Sequence, residues 1–202
     1  MFVLGSMLPD FASMIRARPP RVAHEELARG VAFHHRTDGA FHDSVTFRRL
    51  TSGAFVELEA AGVRRSSARA VAHVGTEILL DAELAREPEA REVYYRAVRA
   101  ADATALGTNI EWRDGAERER FDALVRALTA RSTGYAEPGI AELAWRIERA
   151  LHARPRLALD AAGAALVQDW VPAALLRVAG TARALLDEVR AGLGAPAMSY
   201  AK

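Results

Sequence analysis

Histidine and carboxylate side chains recur at intervals of one helical turn in two separate stretches of this chain. The first trio consists of His34, Asp38 and His42. The second trio consists of His73, Glu77 and Asp81. Residues at positions i, i+4 and i+8 lie on one face of an α-helix, so each trio forms a stripe along a single helical face.

These residue types are ligands for a divalent cation. The chain has no cysteine, and imidazole mixed with carboxylate in the absence of thiolate favours manganese, iron, zinc or a magnesium-like ion. A mixed nitrogen–oxygen site with open positions lowers the pKa of bound water and polarises a phosphoryl oxygen, so the chemistry it fits best is hydrolysis of a phosphate ester. The alternative interpretation is a set of buried ion pairs that hold two helices in register.

The second trio is predicted to lie on the core-facing half of its helix. At 100° per residue it shares that half with Leu80 and Leu84, whereas Arg69, Thr76 and Glu83 point toward solvent. Carboxylates on a core-facing surface require a positive partner, which strengthens the prediction of a metal or catalytic site.

Three residues outside the trios belong to the same hypothesis. Asp10 is either a further ligand or a helix cap. Arg36 either holds a phosphate through its forked guanidinium or forms an exposed ion pair. His35, next to His34, is a ligand, a proton donor or a residue that supports a ligand.

The elements that must position these residues are predicted to be helices. Apolar residues recur at spacings of three and four almost throughout, which predicts an all-α, single-domain helical bundle over residues 1–202. The predicted helices are Ser6–Arg18, His24 to about Leu50, Ser66 to about Arg86, one that begins at Pro88, Ala116–Ala130, Pro138–His152 and roughly Asp160–Leu193. The second of these is one helix or two broken near Asp38-Gly39, and such a break would move His42 off the first trio's face. Turns are predicted at Gly107, Arg113-Asp114-Gly115 and Ser132-Thr133-Gly134.

Composition and charge narrow the class of protein. The chain of 202 residues is 50% hydrophobic with a net charge of +1, which gives no general attraction to nucleic acid or to an acidic membrane. Apolar runs fall short of the roughly 20 residues that a spanning helix needs, and the first residues lack the basic start of a signal peptide. A cytoplasmic location is expected, and the oligomeric state stays open.

Four segments, in this order, resemble the acyl carrier protein phosphodiesterase family. They are G-S-M-L-P-D-F (Gly5–Phe11), G-V-A-F-H-H-R-T-D (Gly30–Asp38), V-G-T-E-I-L-L-D (Val74–Asp81) and A-L-H-A-R-P-R-L-A-L (Ala150–Leu159). The resemblance implies an all-helical fold related to the HD-type metal phosphohydrolases. It also implies hydrolysis of the phosphodiester between a serine of holo-acyl carrier protein and 4′-phosphopantetheine, with manganese favoured.

The resemblance and the spacing together define the candidate site. The resemblance points to Asp10, His34, Arg36, Asp38, Glu77 and Asp81. His35, His42 and His73 are supported by spacing alone. The candidate metal ligands are therefore Asp10, His34, His35, Asp38, His42, His73, Glu77 and Asp81. The candidate catalytic residues are Asp10, Arg36, Asp38 and Glu77.

The resulting hypothesis is a metal-dependent phosphodiesterase. Arg36 would stabilise charge on the phosphoryl oxygens, and a carboxylate that does not bind metal would act as the base. Arginines between residues 16 and 21, together with Arg64 and Arg65, would dock the acidic carrier protein. The alternatives are a phosphohydrolase acting on a nucleotide or another small phosphoester, and a non-catalytic helical binding protein in which the trios form structural ion pairs.

Overall fold

A computed structural model describes residues 1–102, 109–132 and 136–194. Within these ranges the chain forms eight helices and one antiparallel pair of very short strands, which confirms the all-α prediction. The helices are α1 (Phe2–Met14), α2 (Glu25–Asp43), α3 (Val45–Ala60), α4 (Arg65–Leu84), α5 (Pro88–Asp102), α6 (Gly115–Arg131), α7 (Ile140–His152) and α8 (Ala161–Gly192). The strands are β1 (Arg21–Val22) and β2 (Ile110–Glu111). No helix in the described ranges has both the length and the apolar character needed to cross a bilayer.

The later helices begin and end close to their predicted limits because local capping signals define them. Asp160 accepts a hydrogen bond from the backbone N–H of Gly163 at 2.7 Å and caps α8. Asp114 accepts one from the N–H of Glu117 at 2.8 Å and caps α6. Pro88 begins α5, as predicted. The predicted turns at Gly107 and Thr133-Gly134 lie outside the described residues.

Two predictions about the first helices were wrong. Helix α1 spans Phe2–Met14 and contains Pro9, whereas the predicted helix was Ser6–Arg18. Helix α2 continues through Gly39, because an interior glycine costs only about 1 kcal/mol. The break comes instead at Ser44, whose extended backbone and hydroxyl cap begin α3.

The chain folds into two compact units. The first unit comprises Met1–Gly39 and Pro88–Ala136, and the second comprises Ala40–Glu87 and Glu137–Lys202. The core of the first unit is built by α1, α5 and α6 with part of α2, and its buried side chains include Leu4, Leu8, Leu27, Val98 and Phe121. Gly5 and Gly30 let α1 and α2 approach closely, since a Cβ at either position would meet the other helix's backbone at under 3.0 Å.

The second unit is organised around α4, which packs against α3, α7 and α8. Its fully buried side chains include Leu58, Val71, Leu79, Ile147, Val171 and Leu185. Helix α3 follows directly after the last turn of α2, which belongs to the same unit. The unit therefore holds the second trio and the final member of the first trio, His42.

The face of α4 that meets the core differs from the predicted one. Val71, Ala72, Gly75, Thr76 and Leu79 are buried, while the second trio lies on the opposite, partly exposed side of the helix. The prediction underrated the small residues, which let neighbouring helices approach. The hydroxyl of Thr76 can be buried because it donates to the carbonyl oxygen of Ala72 at 2.7 Å, so burial leaves no donor unsatisfied.

Candidate metal centre

His42, His73 and Glu77 come together in the second unit. His73 and Glu77 stand one turn apart on α4, and His42 lies in the last turn of α2. One ligand atom from each residue lies within 4.8 Å of the other two. We call these three residues the imidazole–carboxylate group. Two of them belong to the second trio, whereas the other was predicted only as the end of the first.

One carboxylate oxygen of Glu77 lies near the Nε2 atoms of both imidazoles. Nε2 of His73 is 3.2 Å from Oε1 of Glu77, and Nε2 of His42 is 3.8 Å from the same oxygen. The two imidazole rings are parallel within 10°, with centroids 4.9 Å apart. Both rings therefore present Nε2 toward one carboxylate oxygen.

Aromatic side chains hold the imidazoles in this orientation. Phe47, which is 3% exposed, meets the ring of His42 edge-on at a centroid distance of 5.1 Å. It meets the ring of His73 edge-on at 5.3 Å. Phe41 packs against Phe47 at 4.3 Å. Because Ser44 caps α3 through the N–H of Phe47 at 3.0 Å, the same short turn that ends α2 also places this ring beneath both imidazoles.

The three side chains are of the types that bind a divalent cation, and the distances between their ligand atoms are close to those around a bound cation. Two neighbouring ligand atoms, each about 2.0–2.2 Å from a cation, are about 3.0–3.5 Å apart. The His73–Glu77 separation falls within this range, and the His42–Glu77 separation of 3.8 Å exceeds it by a few tenths of an ångström. Two imidazoles with one carboxylate is also a ligand set that leaves coordination positions open.

Exposure of the group keeps those positions accessible. The side chains of His42 and Glu77 are 33% and 34% exposed, and that of His73 is 49% exposed. A half-exposed Glu–His pair contributes only about 0–1 kcal/mol to stability. The arrangement is therefore better suited to binding a ligand than to holding two helices in register.

Other candidate site residues of α4 and α2, both ligand and catalytic, lie outside the imidazole–carboxylate group. Asp81 is exposed one turn beyond Glu77. His35 is exposed, and its ring meets that of His34 edge-on at 5.3 Å. Arg36 is exposed with its guanidinium over the ring of Phe33 at 5.9 Å.

A second set of titratable side chains lies in the first unit, where α1 meets α2. Nδ1 of His34 is 3.1 Å from the carbonyl oxygen of Ser6 and 3.8 Å from Oδ2 of Asp10. Loss of hydration raises the pKa of Asp10, the charge of His34 lowers it, the charge of Asp38 raises it, and the net direction is upward. The side chain of Asp10 is 71% exposed, so its loss of hydration is partial.

The residues that come together are mostly those that spacing supported and not those that the resemblance supplied. Of the six residues that the resemblance supplied, only Glu77 joins the imidazole–carboxylate group in the described ranges. His42 and His73, which spacing alone supported, are its other members. Phe47 was not singled out in the sequence, although Ser44 three residues earlier is the helix-start signal that positions it. That the two trios serve one metal stays a prediction.

Comparison with known proteins found no family model, no curated protein and no solved structure that matches this chain. Its function is therefore inferred from the residues and their geometry.

Proposed function

We propose that this chain is a metal-dependent phosphodiesterase whose cation is held by His42, His73 and Glu77. The observation that carries the proposal is the convergence of these three ligand atoms within 4.8 Å, on a partly exposed surface. The donor set mixes nitrogen and oxygen without thiolate and suits manganese, iron, zinc or magnesium, and the sequence resemblance favours manganese among them. When bound, such a cation activates a water molecule and polarises a phosphoryl oxygen.

The substrate is proposed from the sequence resemblance. It is the phosphodiester that joins 4′-phosphopantetheine to a serine of holo-acyl carrier protein. Hydrolysis adds one water molecule across the P–O bond to serine, so the serine hydroxyl regains a proton and 4′-phosphopantetheine leaves as a phosphate monoester. An HD-type helical fold and a cytoplasmic location belong to the same proposal.

The chain's own residues divide the work between binding and proton transfer. Glu77 would neutralise part of the cation's charge beside the two imidazole ligands, and Phe47 keeps both rings in place. The roles of Arg36 in neutralising phosphoryl charge and of Asp38 as a base rest on the resemblance alone. The catalytic role of Asp10 likewise rests on the resemblance alone.

The experiment follows the mass of holo-acyl carrier protein incubated with purified, metal-free chain and added manganese. The expected result is manganese-dependent loss of one phosphopantetheine group, abolished in His73→Ala and retained in Glu83→Gln. Glu83 is a matched control because it lies on α4 but pairs with Arg86 at 3.1 Å. Loss of mass without manganese, or equal activity of His73→Ala, would overturn the assignment.

A chromogenic phosphodiester distinguishes a small phosphoester substrate from holo-acyl carrier protein. If bis(p-nitrophenyl) phosphate is hydrolysed and holo-acyl carrier protein is not, the metal centre stands and the substrate is a small phosphoester. If neither is hydrolysed and manganese does not raise the melting temperature, the group is a structural ion pair of a binding protein, since a ligand that binds the folded state must stabilise it.

A further inference from the structure

One arginine continues the helical face that carries the imidazole–carboxylate group. Arg69 lies four residues before His73 on α4, and Glu77 lies four residues after it, so the three share one face, and the prediction that Arg69 points away from the second trio was wrong. Arg69 is exposed, and its guanidinium lies over the ring of Phe55 on α3 at 5.3 Å. A positive charge is thus held one turn away from the candidate ligands.

The neighbouring Arg64 is already occupied by the protein. It donates to the hydroxyl of Ser67 and to the carbonyl oxygens of Arg156 and Ala158, at 2.9–3.1 Å. These bonds fasten the segment before α8 to the start of α4, so Arg64 has a structural role, and its docking role stays a prediction.

Arg65 and Arg69 both lie over the ring of Phe55, but a carboxylate neutralises the charge of Arg65. Its guanidinium lies over the ring of Phe55 at 5.2 Å, and its Nη1 donates to Glu59 at 2.6 Å. The guanidinium of Arg69 contacts the ring of Phe55. Among the residues that the structure describes, no carboxylate pairs with it. A guanidinium placed over an aromatic ring keeps its N–H donors for planar anions such as phosphate or carboxylate.

The spacing along the helices shows which part of a substrate this arginine can reach. His73 meets Phe47 and Arg69 meets Phe55, so the same two helices form both contacts. Four residues of α4 span about 6 Å and eight residues of α3 span about 12 Å. The positions that carry these side chains are therefore about 6–12 Å apart along the helices. A substrate long enough to span that separation would meet the metal ligands with its reacting phosphate and Arg69 with a different group.

We infer that Arg69 is a specificity-determining residue that binds a second anionic group of the substrate, about 6–12 Å from the phosphorus that reacts. The inference rests on the proposed function, because it takes the imidazole–carboxylate group as the place where the reacting phosphate binds. It makes the preferred substrate a phosphoester that carries a further phosphate or carboxylate at that spacing. A small phosphodiester that carries no further anionic group is then a poorer ligand than one presented by the acidic carrier protein.

The test measures binding of two phosphonates to manganese-loaded protein by calorimetry. Hexylphosphonate offers one anion, and hexane-1,6-bisphosphonate offers a second anion at the end of a spacer of the required length. The native protein is expected to bind the bisphosphonate about tenfold more tightly, the effect of one charge-assisted hydrogen bond.

Variants assign the effect to one side chain. Arg69→Gln should lose the tenfold advantage while binding manganese and hexylphosphonate like the native protein, and Arg69→Lys should recover part of it. Arg65→Gln is the matched control, because it removes an arginine from the same ring whose charge Glu59 already balances. This control should keep the full advantage.

The outcomes separate this inference from the proposed function. If the native protein binds no manganese, both are overturned. If manganese and hexylphosphonate bind but the bisphosphonate has no advantage, or if Arg69→Gln keeps that advantage, the inference about Arg69 alone is overturned.

Discussion

Replacing Glu77 by glutamine distinguishes a metal centre from a structural ion pair. The substitution keeps the size of the side chain and removes the negative charge that lies 3.2 Å from His73 and 3.8 Å from His42. In the absence of metal the loss should be small, because a half-exposed pair of this kind contributes about 0–1 kcal/mol. For a chain of this length that corresponds to at most about 4 °C in Tm.

With metal present the expected effect is larger. At a manganese concentration of about one hundred times Kd, binding stabilises the native protein by about 2.7 kcal/mol. That free energy corresponds to a rise in Tm of about 5–11 °C. Losing a charged ligand should weaken affinity at least as much as losing a residue that supports a ligand, which is about 10–100-fold. At a hundredfold loss the remaining stabilisation of Glu77→Gln is about 0.4 kcal/mol, or roughly 1–2 °C.

Thermal unfolding of native protein, Glu77→Gln and Glu83→Gln, each with and without manganese, provides the assay. The native protein and Glu83→Gln should show the full rise in Tm, and Glu77→Gln should show almost none. The metal assignment is refuted if manganese leaves the native Tm unchanged while Glu77→Gln lowers the metal-free Tm by clearly more than about 4 °C. That pattern would identify a structural ion pair.

The remaining predictions concern packing and pH. Gly30→Ala should destabilise the protein by about 1–3 kcal/mol, because its Cβ would overlap a backbone carbonyl oxygen of α1. Gly39→Ala, on the same helix with nothing within 4 Å of the added Cβ, should instead stabilise by about 0.5–1 kcal/mol. Urea unfolding measures both, and equal effects would contradict the close crossing of α1 and α2. The hydroxyl and then the N–H of Thr46 donate to Glu188 and hold its pKa below the ordinary value of 4.5. A lowered pKa stabilises the folded state at pH values above the ordinary pKa. This stabilisation is lost as the pH falls through the pKa of the folded state. The stability gap between native protein and Glu188→Gln should therefore narrow from about pH 7 to about pH 3, and a gap that widens in acid would contradict this assignment.

The helical class and the later helix limits could be predicted because their signals are local. Asp160 and Pro88 act on the next few residues of the chain, and the structure places α8 and α5 where these signals indicate. Whether α2 breaks near Gly39 was left open, and the helix continues there because one that gains packing contacts elsewhere tolerates one glycine; the actual break, at Ser44, was not predicted.

The sequence predicted which types of residue form the candidate site, but not which of them come together in the fold. Spacing identified His73 and Glu77 as a pair, since one helix holds both. His42 was assigned to the stripe of His34, although its imidazole lies beside that of His73. This contact joins residues 31 positions apart and depends on the turn at Ser44, which no periodicity within a single helix reveals. The buried face of α4 was misjudged for a related reason, because burial of small residues depends on which helices pack against them.

The central claim is that His42, His73 and Glu77 hold a divalent cation. Crystals of the protein grown with manganese, with anomalous diffraction recorded from the metal, test it most directly. We expect an anomalous peak about 2.0–2.3 Å from Nε2 of both histidines and from a carboxylate oxygen of Glu77. A manganese peak elsewhere with this group vacant, or no peak at a concentration that saturates binding in solution, would contradict it.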